Sequence, residues 1–135
     1  MKKQVVLDFP GLAESAQIEL DDSDSPATVR AIIENLPIKM TIERWGDELY
    51  SEPTPVRAGE ENAKSEVKLF DVAYWPEGNA LCFFYGHTPM SKEKILPYSP
   101  VNVVGRIKTR PKDVARFLDA VERAHVRKKV QVVLR

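Results

Sequence analysis

The feature that most constrains this chain is the stretch 71–89, DVAYWPEGNALCFFYGHTP. It carries Tyr74, Trp75, Phe83, Phe84 and Tyr85 within a few residues of one another. In an extended chain successive side chains point to opposite sides. Leu81, Phe83 and Tyr85 therefore share one side of a strand, and Cys82 and Phe84 share the other. Both sides are apolar, the pattern of a strand covered on both faces. Val72 and Tyr74 lie opposite Ala73 and Trp75 in the same way. Between the two runs, Pro76-Glu77-Gly78-Asn79 has the chemistry of a hairpin turn: proline fixes φ, and Gly or Asn accepts φ > 0. Gly86-His87-Thr88-Pro89 closes the stretch. The rings are core residues, or one or two of them wall a binding cleft.

Elsewhere the period-2 pattern recurs. Residues 4–9 form a strand with Val5, Leu7 and Phe9 on one side, and in residues 16–21 Ala16, Ile18 and Leu20 alternate against polar neighbours. Ser25 is a good N-cap and Pro26 suits a first helical position. Val29, Ile32, Ile33 and Leu36 then fall at helical spacing, predicting a short helix over 26–35. The acidic run at 21–24 lacks the spaced oxygens and distal Glu of a calcium loop, so no metal is expected there. Ile38, Met40 and Ile42 mark a third strand, Trp45-Gly46-Asp47 a turn, and Glu48-Leu49-Tyr50 its continuation.

Residues 51–65 form a long loop with Pro53, Pro55 and Gly59, of the kind that serves as a functional flap or is mobile. Residues 66–75 return as strand, and 91–94 suit one helical turn. Val101, Val103 and Ile107 alternate with Asn102 and Arg106, and Gly105 marks a bulge or a close backbone approach. A second helix starts at Pro111, burying Val114, Phe117, Leu118 and Val121. In residues 126–135, Val130, Val132 and Leu134 point in, while Arg127, Lys129, Gln131 and Arg135 point out.

About eight strands and two short helices result, with no internal repeat and no separating linker. The expected fold is mainly β: one domain over 1–135, a closed eight-stranded antiparallel barrel capped by two short helices. Closure also removes exposed sheet edges.

Lys plus Arg equals Asp plus Glu at 20 each, so no net field recruits nucleic acid or an anionic membrane. The single cysteine, Cys82, excludes an internal disulfide and a multi-cysteine zinc site. Val5-Val6-Leu7 is too short for the apolar segment of a signal peptide, and no run approaches the roughly 18 residues of a membrane span. A cytoplasmic protein is expected.

Three pieces of the chain resemble a known family. They are Arg44-Trp45-Gly46-Asp47-Glu48-Leu49-Tyr50, the block 71–89, and Ser99-Pro100-Val101-Asn102-Val103-Val104-Gly105-Arg106-Ile107; Glu60-Glu61-Asn62-Ala63 is similar as well. In this order they resemble an uncharacterised prokaryotic single-domain family with a cyclophilin-like fold. The resemblance covers roughly 38–107 and implies an eight-stranded barrel with two helices. It does not bring prolyl isomerase activity with it, because fold does not confer function. Cyclophilins use an Arg in a Phe-x-Arg-Val-like strand ahead of Phe-Met-x-Gln-Gly-Gly-Asp. Gln4, Gln17 and Gln131 sit in no such context, and neither Arg44 nor Arg106 is followed by the motif.

His87 and His125 are the only histidines, and no phosphate-binding glycine loop or nucleophile elbow is present. Glu43, Glu48 and Glu77 are candidates to place carboxylates near a cleft, but no pair at a known separation assigns an acid and a base. The expected function is a binding module: a shallow aromatic groove near Tyr50, Tyr74, Trp75, Tyr85 and His87, with Arg106 nearby, holding a small molecule or a peptide. The alternatives are a weak prolyl isomerase or other enzyme, and an accessory subunit acting by association. No catalytic residue, metal or cofactor is assigned; nucleic acid and membrane are not expected partners, and a homo-oligomer is left open.

Overall fold

A computed structural model of the chain describes residues 1–127 and 130–135, with side chains at 125–127 left aside. Eight strands form: β1 (Lys2–Phe9), β2 (Glu14–Asp21), β3 (Ile38–Trp45), β4 (Glu48–Ser51), β5 (Asp71–Trp75), β6 (Ala80–Phe84), β7 (Asn102–Ile107) and β8 (Val130–Leu134). Two α-helices accompany them, α1 (Pro26–Glu34) and α2 (Val114–Arg127), and a 3-10 turn at Pro10–Leu12 joins β1 to β2. Every strand pairs antiparallel, and the order β1-β2-β7-β5-β6-β4-β3-β8 closes on itself. No helix among the described residues is long and apolar enough to cross a membrane.

The alternation read in the sequence becomes two separate apolar clusters. Val5, Leu7, Ile18, Leu20, Val72, Leu81, Phe83 and Val132 fill the barrel interior. The helices add Val29 and Ile32 from α1 and Phe117, Leu118 and Val121 from α2, so both ends of the cylinder are plugged. Ala73, Cys82, Phe84 and Val101 belong to a second cluster on the outer wall, roofed by Val67 and Ile95 from the long connections. Leucine-sized losses inside a filled interior of this kind cost about 2–5 kcal/mol each.

Gly105 is both a close approach and part of a bulge. A Cβ there would stand 2.2 Å from the Glu19 carbonyl oxygen of β2. Against β5 the register jumps from Val72↔Gly105 to Ala73↔Val103, leaving Val104 as the extra residue. The bulge resets the side-chain parity. Val104 and Ile107 enter the interior, whereas Val103 packs on the outer cluster, not beside Ile107 as strict alternation predicts.

The loop at 51–65 is stitched down as a strap. Val56 is fully buried in the interior cluster, and the Tyr74 hydroxyl donates to its carbonyl oxygen at 2.9 Å. The buried Asn102 amide donates to Gly59 O (2.8 Å) and Thr28 Oγ1 (3.0 Å) and accepts the Glu61 N–H (2.8 Å), tying strap, α1 and β7 together. Helix α1 is capped by this strap. Ser25 makes no side-chain cap bond; its hydroxyl donates to Glu61 O instead. The Glu61 carboxylate takes the N–H groups of Ala27 (3.0 Å) and Thr28 (2.9 Å) and the Thr28 hydroxyl (2.8 Å).

Four expected boundaries shift. Strand β5 starts at Asp71, because Phe70 adopts φ +69 and the segment 66–70 enters the sheet pairing only through the isolated bridge Val67↔Ile95. Residues 91–94 are not helical: the Ser91 hydroxyl accepts the N–H groups of Thr88 (2.9 Å) and Leu96 (3.0 Å), which holds an irregular turn. Helix α2 starts at Val114, since Asp113 accepts the Arg116 N–H at 3.0 Å and so acts as the cap. It continues to Arg127, delaying β8 to Val130. The outward placement of Arg127 and Lys129 lies outside the described residues.

Candidate functional site

With the interior filled, the candidate site lies on the outer wall of the cylinder. It crosses four adjacent strands, β3-β4-β6-β5. Trp45 stands on β3, Glu48 and Tyr50 on one face of β4, Cys82 on β6 and Trp75 on β5. Register places Trp45 opposite Glu48 and Tyr50 opposite Cys82. Tyr98, Pro97 and Val101 approach from the segment before β7, and together these residues enclose a recess of about 250 Å³.

The rings are held in place by dedicated bonds. The Trp75 indole N–H donates to Ser99 Oγ at 2.5 Å, and Ser99 donates to Glu77 Oε2 at 2.9 Å. The Tyr50 hydroxyl donates to Glu43 Oε2 at 2.7 Å. Tyr98 meets Trp45 (centroids 6.1 Å, planes 69° apart) and Trp75 (5.9 Å, 81°), so three rings stand at steep angles as walls. Gly78 makes room for the indole: a Cβ there would lie 2.3 Å from Trp75 ring carbons.

Glu48 is the polar group of the recess, and it is 4% exposed. Burial pushes its carboxyl up to about 7, partly offset by a hydrogen bond with the Cys82 thiol. Burial, reinforced by the Glu48 charge, raises the Cys82 thiol well above its ordinary value, so it is an inert buried thiol. Burial first, and Glu43 second, push the Tyr50 phenol up to about 12.

The six residues expected to share a groove divide between locations. Tyr50 and Trp75 line the recess. Tyr74 points into the barrel, where its hydroxyl also lies 2.8 Å from Asn79 Oδ1. Tyr85 enters the interior as well, packed edge-on to Phe70 (6.1 Å) and tilted over Phe117 (5.3 Å). His87 is exposed and borders a different depression with Glu66, Lys68 and Glu93. Arg106, on β7 opposite Asp71 of β5, donates to Leu69 O at 3.3 Å. Arg44 is bound to Asp47 (3.1 Å), Asp119 (2.8 Å) and Glu122 (3.2 Å), so neither guanidinium lines the recess.

Sequence reasoning passed over Trp45, read as a turn residue, and Tyr98, in a proline-flanked segment. It did single out Glu43, Glu48 and Glu77, and all three converge here: one in the recess, two behind its ring hydrogen bonds. The available signal was parity, since Glu48 and Tyr50 are two apart on one strand face.

Fold and site together define a filled antiparallel barrel with a ring-walled recess on its outer surface. The chain matches the cyclophilin-like family over residues 3–127, and it belongs to that family. The solution structure of the hypothetical protein AF2241 from Archaeoglobus fulgidus is similar at 40% identity and TM-score 0.74, covering 98% of this chain and 93% of that one. The structure of McbB in complex with tryptophan is similar in fold at 16% identity and TM-score 0.72, covering 98% of this chain and 44% of that one. No match was found among curated proteins.

Proposed function

We propose that the protein is a binding module that holds a small molecule, or one side chain of a peptide, in the outer-wall recess. One observation carries the reading: Trp45, Trp75 and Tyr98, from three separate segments, line one recess together with the buried carboxyl of Glu48. Aromatic walls with a few placed polar groups are the usual form of a ligand site. McbB, a barrel alike in fold, has been seen with tryptophan, which makes aromatic amino acids a sensible arm of a ligand screen. The proposed compartment is the cytoplasm; Cys82, buried as a free thiol, is compatible with a reducing environment.

A thermal-shift screen tests the proposal. Stabilising compounds should be found, and their effect should vanish in Tyr98→Ala. Tyr98 is 65% exposed, so its removal leaves the barrel intact. A flat response across a broad library counts against the module.

A second reading is catalysis by Glu48. A carboxyl brought to about 7 is matched to general acid–base chemistry at neutral pH. Prolyl isomerisation, a bond rotation that needs no acid or base, is a separate possibility; a protease-coupled proline-peptide assay at high protein concentration checks it, and the absence of any acceleration eliminates it.

A further inference from the structure

We infer that the recess takes an organic ammonium group, seated on the faces of Trp45, Trp75 and Tyr98 with its charge directed at the Glu48 carboxylate. This rests on the binding-module reading and names its ligand class. Ring faces carry the negative side of the aromatic quadrupole. Trp45 and Trp75 each stand steeply to Tyr98, at 69° and 81°, so neither indole stacks flat on the phenol ring between them. A set of ring faces attracts a cation, more strongly where water is excluded. When ionised, Glu48 supplies formal negative charge at the same place, and no Lys, Arg or His among the described residues lines the recess. An anionic ligand would find no counter-charge there.

Size narrows the class further. The recess, about 250 Å³, lies below the roughly 300–1,000 Å³ of sites for drug-sized ligands. It suits a single head group, whether a free quaternary ammonium such as choline or the methylated ammonium of a lysine side chain.

The cation needs Glu48 ionised, whereas burial favours its protonated form. Binding is therefore coupled to proton release, and affinity rises with pH through the neutral range. The groups facing Glu48 are the Cys82 thiol from β6, the Tyr50 phenol on β4 with its Glu43 partner on β3, and Tyr98 from the segment before β7. None of them is a cation that would compete with the ligand.

The test is an NMR titration of the full chain with tetramethylammonium, choline, a trimethyllysine peptide, and 3,3-dimethyl-1-butanol, the neutral carbon isostere of choline. The cations should shift the Trp45 and Trp75 indole signals and bind about tenfold or more tightly than the isostere. Glu48→Gln should weaken that preference to the part the rings supply and remove its pH dependence, while still admitting the isostere. The peptide and choline arms separate the two sources of the head group, and binding of either supports the inference. Equal binding of choline and isostere overturns the cation assignment but leaves the module standing. No shift of either indole with any of these four probes, nor with tryptophan added as a fifth, overturns both.

Discussion

The indole N–H of Trp75 donates to Ser99 Oγ at 2.5 Å across 24 residues of chain, and Ser99 passes the bond on to Glu77. This relay fixes the rotation of a half-buried ring. Ser99→Ala should cost about 1 kcal/mol, the net worth of one hydrogen bond. Exchange of the Trp75 indole proton should also accelerate, since its acceptor is gone. Unchanged exchange in the variant would show that the relay does not form in solution.

Glu48 makes the stability of the barrel depend on pH. Its carboxyl stands at about 7 in the fold against an ordinary 4.5, so between those values the native state holds a proton that the unfolded state releases. Stability therefore falls as pH rises from about 4.5 to about 7, then levels off. At about 1.4 kcal/mol per unit the loss amounts to about 3 kcal/mol. Glu48→Gln removes this slope and should be the more stable protein at pH 8. Asp71, raised by burial, and Asp21, lowered by its hydrogen bonds from Ser23, act equally in both proteins. Urea denaturation across pH 4–9 gives the comparison, and parallel curves would refute the assignment.

Glu61 should matter more than a partly exposed loop carboxylate usually does. It satisfies two orphan N–H groups of α1 and the Thr28 hydroxyl, and it fastens the strap to the helix. Loss of a side-chain cap costs about 1–2 kcal/mol. Glu61→Ala is expected at that level, with faster amide exchange at Ala27 and Thr28. A variant as stable as the parent, with exchange unaltered, argues that the cap is replaceable.

Gly105→Ala should be the most damaging of the small substitutions. The added methyl would meet backbone, Glu19 O at 2.2 Å and Leu20 Cα at 3.0 Å, which cannot swing aside. The β2–β7 seam must open, at about 3 kcal/mol or more. Gly59→Ala is the control, because nothing lies within 4 Å of its Cβ position. Denaturation midpoints decide: similar losses for both variants would mean that the seam yields freely.

The strands and their faces were legible because each is a local, period-2 statement. Leu81 and Phe83 against Cys82 and Phe84 separated the interior cluster from the outer one before any coordinates. The same parity already divided Tyr74 from Trp75, and the structure sends one into the barrel and the other to its outer wall. The failures came where a side chain outside the local pattern took over. Asp113 moved the start of α2, Ser91 replaced a helical turn, and Glu61 displaced Ser25 as the cap of α1.

From the order of its residues alone, the chain determined which segments extend, which side of each is apolar, and that those apolar sides close a mainly β barrel. The first two of those properties depend on neighbours one and two positions away, and closure follows from their number and from the need to cover sheet edges. Only the tertiary structure decided that Trp45, Glu48, Trp75 and Tyr98 meet. Their meeting requires β3, β4, β6 and β5 to lie side by side in one register, and the connection before β7 to fold back over them. Strand order is set by burial summed over the whole cylinder, so no single stretch of the chain encodes it.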